Sequence, residues 1–211
     1  MRVLLTGGSG FIGSHIGLLL LERGFDVVIL DSFVNSSSNV IIRIKTYLDN
    51  KDLKYKLETI TGDIRDKKLL DSIFITSIKE NKPIDIVIHL AGLKSVSESL
   101  TNPLLYWDVN VLGTLKLLLT MKEYECYSLV FSSSATIYGL SDYVPITENN
   151  KISPINPYGK TKVAIENMFY DIYNSNINLW KIISLRYFNP VGAHPSGLIG
   201  EDPIGIPNNL F

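Results

Sequence analysis

The chain has 211 residues, of which 45% are hydrophobic and 19% charged, so it can form a folded core and does not have the composition of a disordered protein. Its formal net charge of −1 excludes the basic excess with which nucleic-acid-binding proteins hold a phosphate backbone. The first apolar run is too short for a signal peptide, and no stretch approaches the roughly 20 apolar residues of a membrane span. With Cys126 as the single cysteine, the sequence predicts a cytoplasmic protein without a disulfide and without membrane or nucleic-acid partners.

Strand and helix patterns alternate along the chain. Short apolar runs predict six strands, at Arg2–Thr6, Asp26–Leu30, Leu57–Thr61, Ile84–Leu90, Ser128–Phe131 and Leu179–Leu185. Apolar residues at helical spacing predict five helices, at Gly10–Arg23, up to about Tyr47, and at Asp66–Glu80, Pro103–Glu123 and Tyr158–Tyr173. Strands separated by helices are typical of βαβ units. The predicted fold class is therefore α/β, a Rossmann-type doubly wound parallel sheet with helices on both faces.

A glycine-rich loop follows the first predicted strand, with Gly7, Gly10 and Gly13 in the pattern G-x-x-G-x-x-G. Between a strand and a helix, such glycines allow a tight turn, close approach of the backbone to a diphosphate, and close packing of the helix. Asp31 follows roughly 20 residues later, where an acid can accept the hydroxyls of an adenosine ribose and repel a 2′-phosphate. The pattern predicts NAD rather than NADP; the alternative for Asp31 is a turn residue at the strand end.

Tyr158 and Lys162 are four residues apart on a predicted helix, so both side chains project from one face. A nearby ammonium group stabilises the phenolate of a tyrosine, whose unperturbed pKa of about 10 makes it a poor base at neutral pH. Ser134, at the end of the fifth predicted strand, can share the substrate proton. Tyr47 and Lys51 have the same spacing but follow the second strand, and we interpret them as a solvated helix face. We predict Ser134, Tyr158 and Lys162 as catalytic residues, and no metal site.

Six stretches spanning almost the whole chain carry recognisable motifs. They are TGGSGFIGSH from Thr6, GDIR from Gly62, HLAGLK from His89, FSSSATIYG from Phe131, PYGKTK from Pro157 and LRYFNPVGAHPSGLIGEDPIGIPNNL from Leu185. Together they resemble the extended short-chain dehydrogenase/reductase family and, more narrowly, its UDP-glucose 4-epimerases. The last stretch is the most specific, because related dehydratases and decarboxylases do not normally carry it.

The resemblance implies roles for individual residues. The cofactor-binding positions it implies are Gly7, Gly10, Phe11, Ile12, Gly13, Asp31, Ser32, Asn35, Ser36, Asp63, Ile64, Leu90, Ala91, Gly92, Lys94, Tyr158, Lys162 and Phe188. The substrate-binding positions it implies are Lys94, Ser134, Tyr158, Asn189 and Asn209. Asn110 is expected to have a structural role.

The resemblance also implies an activity, the interconversion of UDP-glucose and UDP-galactose through a transient 4-keto sugar and bound NADH, within galactose metabolism. It implies an NAD-binding domain over residues 1–188 and the start of a substrate-binding region over 189–211, with most of the substrate domain absent. Relatives pair through helices, so a homodimer is expected of the full-length family.

Two alternatives stay open. One is a sugar-nucleotide 4,6-dehydratase, whose relatives place adjacent acids after the position of Ser134, where this chain has Ala135 and Thr136. The other is a non-catalytic or inactive NAD-binding remnant, which the missing substrate region favours and the intact Ser134, Tyr158 and Lys162 disfavour.

Overall fold

A computed structural model describes residues 1–141 and 143–202. The chain divides into two compact units. Of the described residues, the first comprises Met1–Ala91 together with 189–202, and the second comprises Gly92–Phe188.

The first unit contains four parallel strands in the order β3-β2-β1-β4. The strands are β1 Arg2–Thr6, β2 Asp26–Asp31, β3 Lys56–Thr61 and β4 Ile86–His89. They alternate with helices α1 Phe11–Glu22, α2 Asn39–Asn50 and α3 Lys67–Lys79. The chain moves outward from β1 to β3 and then returns past β1 to β4. Since crossovers between parallel strands are right-handed, α1 and α2 cover one face and α3 the other, which is double winding.

The core of the first unit lies where α1 and α2 pack on the sheet. Leu5, Leu18, Ile29, Ile44 and Leu48 have no exposed surface. Together they remove several apolar side chains from water, each contributing roughly 1.5–3 kcal/mol relative to exposure. This burial holds the ends of β1 and β2 rigidly at the start of α1.

The second unit contains helices and a parallel strand pair. Its first helices are α4 Val96–Thr101, α5 Pro103–Tyr106 and α6 Gly113–Glu123, with the π-helical segment Trp107–Leu112 between α5 and α6. The remaining elements are β5 Ser128–Ser134, the 3₁₀ turn Ala135–Tyr138, α7 Pro157–Ser175 and β6 Lys181–Tyr187. Strands β5 and β6 pair in parallel along their whole lengths.

The predicted Rossmann-type α/β fold is confirmed, and the six predicted strands and five predicted helices all exist. The largest boundary error is in β5, which the sequence ends at Phe131 and the structure extends to Ser134. Serines have the composition of a turn, but their backbone groups pair with β6 through Tyr187, and this pairing needs no apolar side chain. Helix α4 was not predicted, although Ser95 and Glu98 form a capping-box pattern at its start.

The predicted absence of a membrane-length apolar segment needs correction. The helical stretch Pro103–Glu123 has 21 residues and contains an 18-residue window with a mean hydropathy of 1.2, so by length and composition alone it could cross a membrane. In the fold, 44% of that window is buried, and Leu117 and Met121 have no exposed surface. The core helix of a folded domain passes the same test, so this stretch is weak evidence for a span.

Candidate active site

The glycine loop between β1 and α1 has the tight geometry expected of a dinucleotide-binding turn. Gly7 has φ +69°, and a Cβ atom there would lie 2.6 Å from the backbone nitrogen of Ala91. A Cβ atom at Gly13 would lie 2.4 Å from the Gly7 carbonyl oxygen and 2.7 Å from the Gly8 Cα atom. All three distances are shorter than a real side chain permits, so Gly7 and Gly13 are required by the turn and by the packing of α1 on the loop.

Helix α1 begins after Gly10 without a side-chain cap. Its first N–H groups therefore lack the usual side-chain acceptor and, together with the helix dipole, favour an anion. The backbone of Phe11 and Ile12 forms this first turn. A Cβ atom at Gly10 would have a single neighbour within 4 Å, the Gly7 carbonyl oxygen at 3.5 Å. The loop thus leaves space beside the helix start, and this fits a bound diphosphate.

Asp31 lies at the carboxyl end of β2, is 6% exposed, and has both carboxylate oxygens bonded to the protein. Its Oδ2 accepts the Ser9 N–H at 2.8 Å, and its Oδ1 accepts the Phe33 N–H and the Ser36 hydroxyl, each at 2.9 Å. A carboxylate has about four acceptor sites, so capacity remains for a ligand hydroxyl. The acid is thus oriented at the glycine loop, as a residue that binds a ribose must be.

The other cofactor positions of the first unit are less uniform. Ser32 and Asn35 are exposed, and Ile64 is buried. Asp63 forms an ion pair with Arg65, whose Nη2 lies 2.6 Å from Asp63 Oδ2. The adenine contact implied for Asp63 stays a prediction, with its carboxylate oriented by Arg65. Leu90 and Ala91 are partly buried just after β4, and the Leu90 N–H donates to the Thr6 carbonyl.

In the second unit, β5 and α7 bring the three predicted catalytic residues together. Helix α7 begins at Pro157 and is capped by Asn156, whose side chain accepts the Gly159 N–H at 2.8 Å. Tyr158 and Lys162 are therefore on adjacent turns of one face, both buried. Ser134 closes β5 and its Oγ accepts the hydroxyl of Thr136 at 2.9 Å.

Burial shifts the pKa values of both the tyrosine and the lysine. Burial raises the pKa of Tyr158, and a hydrogen bond with the Ser134 side chain acts in the opposite direction. The Lys162 Nζ donates to the Ser132 carbonyl at 2.7 Å and lies 5.7 Å from the centre of the Tyr158 ring. Burial also lowers the pKa of Lys162 to about 8. The lowering of the Tyr158 pKa by Lys162 stays a prediction.

The remaining predicted positions are at the edges of the second unit or outside the described residues. Gly92 is partly buried, and Lys94 is exposed in the segment before α4. Phe188 is 58% exposed after β6. Asn189, which belongs to the first unit, is exposed, and Asn209 lies outside the described residues. Cys126 is buried, as expected of a small apolar residue.

Two further sets of residues support the site: Asn110, for which a structural role was expected, and the Glu166–Arg186 pair, which was not predicted. Asn110, in the π-helical segment, accepts the Leu93 N–H at 2.8 Å and donates to the Leu93 carbonyl at 3.1 Å, which agrees with the structural role expected for it. Glu166 and Arg186 form an ion pair beside Ser133. Glu166 could have been noticed because it continues the four-residue spacing of Tyr158 and Lys162.

In the part of the chain that the structure describes, no group of three or more His, Cys, Asp or Glu residues converges to form a possible metal site.

The second Tyr–Lys pair, Tyr47 and Lys51, differs from the first. Tyr47 donates to Glu22 at 3.1 Å and is partly buried against the core of the first unit, and Lys51 lies over its ring. The prediction of a solvated helix face is therefore wrong for Tyr47, which packs between α1 and α2, whereas Lys51 is exposed as predicted.

Comparison with known proteins identifies a matching family model and several similar proteins. Residues 4–203 match the family model described as GDP-mannose 4,6 dehydratase. The chain is 51% identical over 209 residues to UDP-glucose 4-epimerase 1 of Oryza sativa subsp. japonica, covering 99% of this chain and 57% of that protein. It is 50% identical over 212 residues to the UDP-glucose 4-epimerase of Yersinia pestis, covering 100% of this chain and 60% of that protein.

Solved structures agree with these relatives. The UDP-glucose 4-epimerase from Bifidobacterium longum in complex with NAD+ and UDP has a TM-score of 0.89 and 42% identity, covering 100% of this chain and 60% of that one. The enzyme from Stenotrophomonas maltophila with bound NAD and formylated UDP-arabinopyranose has a TM-score of 0.90 and 42% identity, covering 100% and 59%. The present chain therefore spans about three fifths of the length of these relatives.

Proposed function

Because the chain belongs to the family whose model is described as GDP-mannose 4,6 dehydratase, we propose that it is the NAD-binding part of a UDP-sugar 4-epimerase. The proposed reaction interconverts UDP-glucose and UDP-galactose through a 4-keto sugar, as a step of galactose metabolism. The observation that carries the proposal is the arrangement of Ser134, Tyr158 and Lys162 on β5 and α7, together with relatives about 50% identical that are named UDP-glucose 4-epimerases.

In the proposed mechanism, Tyr158 removes the proton from the 4′-hydroxyl of the sugar. It returns the proton after the 4-keto sugar has rotated and presents its other face. Ser134, whose side chain interacts with Tyr158, shares this proton. Lys162 supplies a buried positive charge on the same helix face and holds the nicotinamide ribose. A raised pKa keeps Tyr158 protonated, so the forward step, in which Tyr158 must be the phenolate, needs added positive charge.

The chemistry that NAD supplies when bound is reversible hydride transfer at C4′ of the sugar. The glycine loop and Asp31 support NAD as this cofactor, because the loop leaves space at an uncapped helix start and the acid disfavours a 2′-phosphate. The other predicted contacts of the first unit, including Ser32, Asn35, Ser36, Asp63 and Ile64, are proposed for the adenosine half. Leu90, Ala91, Gly92, Lys94 and Phe188 are proposed for the nicotinamide half.

The substrate and the wider assembly are proposals as well. Lys94, Asn189 and Asn209 are proposed to bind the UDP-sugar. Residues 1–188 are proposed as the NAD-binding domain and 189–211 as the start of the substrate-binding region. A homodimer of the full-length family is supported by exposed apolar side chains on helical surfaces of the second unit, among them Leu104, Leu119 and Tyr170. We place the protein in the cytoplasm, without membrane or nucleic-acid partners.

A dehydratase is the rival within the same family. It must remove water across C5 and C6, which requires an additional acid–base pair. At the positions after Ser134 the chain has Ala135 and Thr136, and the Thr136 hydroxyl is bonded to Ser134 rather than available as an acid. The absence of carboxylates at these two positions supports the epimerase.

The test is conversion of UDP-galactose to UDP-glucose by the chain, with Tyr158→Phe as the decisive variant and Tyr47→Phe as the matched control from the other Tyr–Lys pair. We expect Tyr158→Phe to lower turnover by roughly 10²–10⁴-fold and Tyr47→Phe to leave it unchanged. Turnover that survives Tyr158→Phe would refute the assigned base. If the unchanged chain binds NAD without turnover, the non-catalytic alternative holds for these 211 residues.

A further inference from the structure

Three consecutive serines at the end of β5 each contact one of three side chains on α7. The Ser132 carbonyl accepts the Lys162 ammonium at 2.7 Å, and the Ser133 hydroxyl donates to Glu166 Oε1 at 2.5 Å. The Ser134 side chain interacts with Tyr158. The α7 residues are spaced by four positions and so form one stripe along the helix. Glu166 is the member of this stripe to which the proposed mechanism gives no role.

Both oxygens of the Glu166 carboxylate are hydrogen-bonded. Its Oε2 accepts Arg186 Nη2 at 2.7 Å and its Oε1 accepts Arg186 Nε at 3.2 Å, a two-point ion pair. The Glu166 side chain is 11% exposed. Arg186 is itself fixed, because its Nη1 donates to the Tyr138 hydroxyl at 2.7 Å and to the Glu148 carbonyl at 3.3 Å. These bonds fix the position of the Glu166 carboxylate.

We propose that Glu166 is a positioning residue that keeps the buried Lys162 in its ammonium form and, through Ser133, fixes the end of β5 that carries Ser134. The Lys162 Nζ lies 4.6 Å from the centre of the Phe131 ring, and this contact and the bond to the Ser132 carbonyl both favour the ammonium. Burial drives Lys162 toward the neutral amine, and the charge of Glu166 acts in the opposite direction and raises its pKa. Of these contributions, that of Glu166 is the one made by a full negative charge.

The described groups that surround Lys162 come from three elements. Helix α7 contributes Tyr158 and Glu166, and β5 contributes the Ser132 carbonyl and the Phe131 ring. Strand β6 contributes Arg186, whose charge is paired with Glu166. Among these described groups, Glu166 is the carboxylate. That the charge of Lys162 matters for catalysis rests on the proposed function, in which Lys162 acts as a cation.

The first experiment measures the titration of Lys162 from its Cε chemical shift in ¹³C-labelled chain, with Lys162→Arg used to assign the signal. We expect Glu166→Gln to lower the Lys162 pKa by about one pH unit. Glu166→Asp retains the charge with a shorter side chain, should preserve the fold if Glu166→Gln does not, and should lower the pKa by less. Glu148→Gln is the matched control: it removes a charge from an exposed side chain, whose field is screened, and should change nothing.

An unchanged or raised Lys162 pKa in Glu166→Gln overturns the proposal, as does an equal fall in Glu148→Gln. For a Glu166→Gln chain that fails to fold, Glu166→Asp decides: a Lys162 pKa that is raised overturns the proposal, and one that is unchanged or slightly lowered supports it. The second readout is NAD+ affinity between pH 6 and pH 9. A lysine is charged below its pKa, so NAD+ affinity should fall as the pH rises through the Lys162 pKa. In Glu166→Gln this fall should occur at a lower pH than in the unchanged chain, by as much as the Lys162 pKa is lowered. If Lys162 titrates as expected while NAD+ affinity is independent of pH, Glu166 tunes Lys162 and the proposed cofactor role of Lys162 is wrong.

Discussion

The Ser9 N–H donates to Asp31 Oδ2 at 2.8 Å, so the glycine loop and the end of the second strand are bonded directly to each other. The two sequence features that predict a dinucleotide are therefore parts of one structure. The carboxylate both closes the loop and provides the remaining acceptor capacity for a ribose. Its substitution should accordingly change cofactor choice more than it changes the fold.

Asp31→Asn tests this dual role. The amide keeps one acceptor oxygen but removes the charge, so we expect NAD+ affinity to fall by roughly tenfold, or about 1.4 kcal/mol. NADP+ affinity should fall less or rise, because the repulsion of its 2′-phosphate is removed. Calorimetric titration with both cofactors checks this. Asp26→Asn is the control at the other end of β2, where the carboxylate contacts Lys82; an equal loss for both cofactors in Asp31→Asn would contradict the assignment.

Gly13→Ala and Gly10→Ala separate packing from ligand binding. The Cβ of Gly13→Ala would overlap the Gly7 carbonyl, and we expect a loss of roughly 1–3 kcal/mol in the free energy of unfolding. The Cβ of Gly10→Ala meets the same oxygen at an ordinary 3.5 Å, so this variant should lose less than about 1 kcal/mol. It should nevertheless bind NAD+ more weakly, since the added methyl occupies the space beside the helix start. Urea unfolding and NAD+ titration measure the two effects; a Gly10→Ala chain with unchanged affinity would place the diphosphate elsewhere.

Asn110→Ala tests the clamp on Leu93. The substitution removes the acceptor for the Leu93 N–H and the donor to its carbonyl, and also the bond to the Thr161 hydroxyl at 3.2 Å. Leaving buried polar groups unpaired costs about 1–3 kcal/mol, which should appear as a lower urea midpoint at an unchanged slope. Asn110→Asp retains the acceptor and loses the donor, so its urea midpoint should lie between those of the unchanged chain and Asn110→Ala. A midpoint for Asn110→Asp below that of Asn110→Ala would show that charge burial dominates.

The raised pKa of Tyr158 predicts how its titration responds to cofactor. The oxidised nicotinamide adds a positive charge that stabilises the phenolate, so saturating NAD+ should lower the titration midpoint of Tyr158. NADH lacks that charge and should produce a smaller change. The chain has 11 tyrosines, so the measurement is the difference in phenolate absorbance between the unchanged chain and Tyr158→Phe. Equal midpoints with NAD+ and NADH would rule out this source of activation.

Much of the fold follows from local patterns. The apolar runs of β1 and β2 and the glycines between β1 and α1 predict a buried parallel strand, a tight turn and a helix, because each depends on residues near in sequence. The four-residue spacing of Tyr158 and Lys162 likewise places both on one face of α7. Local patterns failed where pairing partners are distant: β5 continues to Ser134 only because β6, about fifty residues later, supplies its hydrogen bonds.

The sequence by itself determined the fold class, the dinucleotide loop with Asp31, and the candidate residues Ser134, Tyr158 and Lys162, since these depend on side-chain type and short-range periodicity. Tertiary structure alone decided their electrostatics. Burial raises the pKa of Tyr158, lowers that of Lys162, and makes the distant Glu166–Arg186 pair part of the same environment. Desolvation and charge proximity depend on what packs around a group in three dimensions, and no spacing along the chain encodes them.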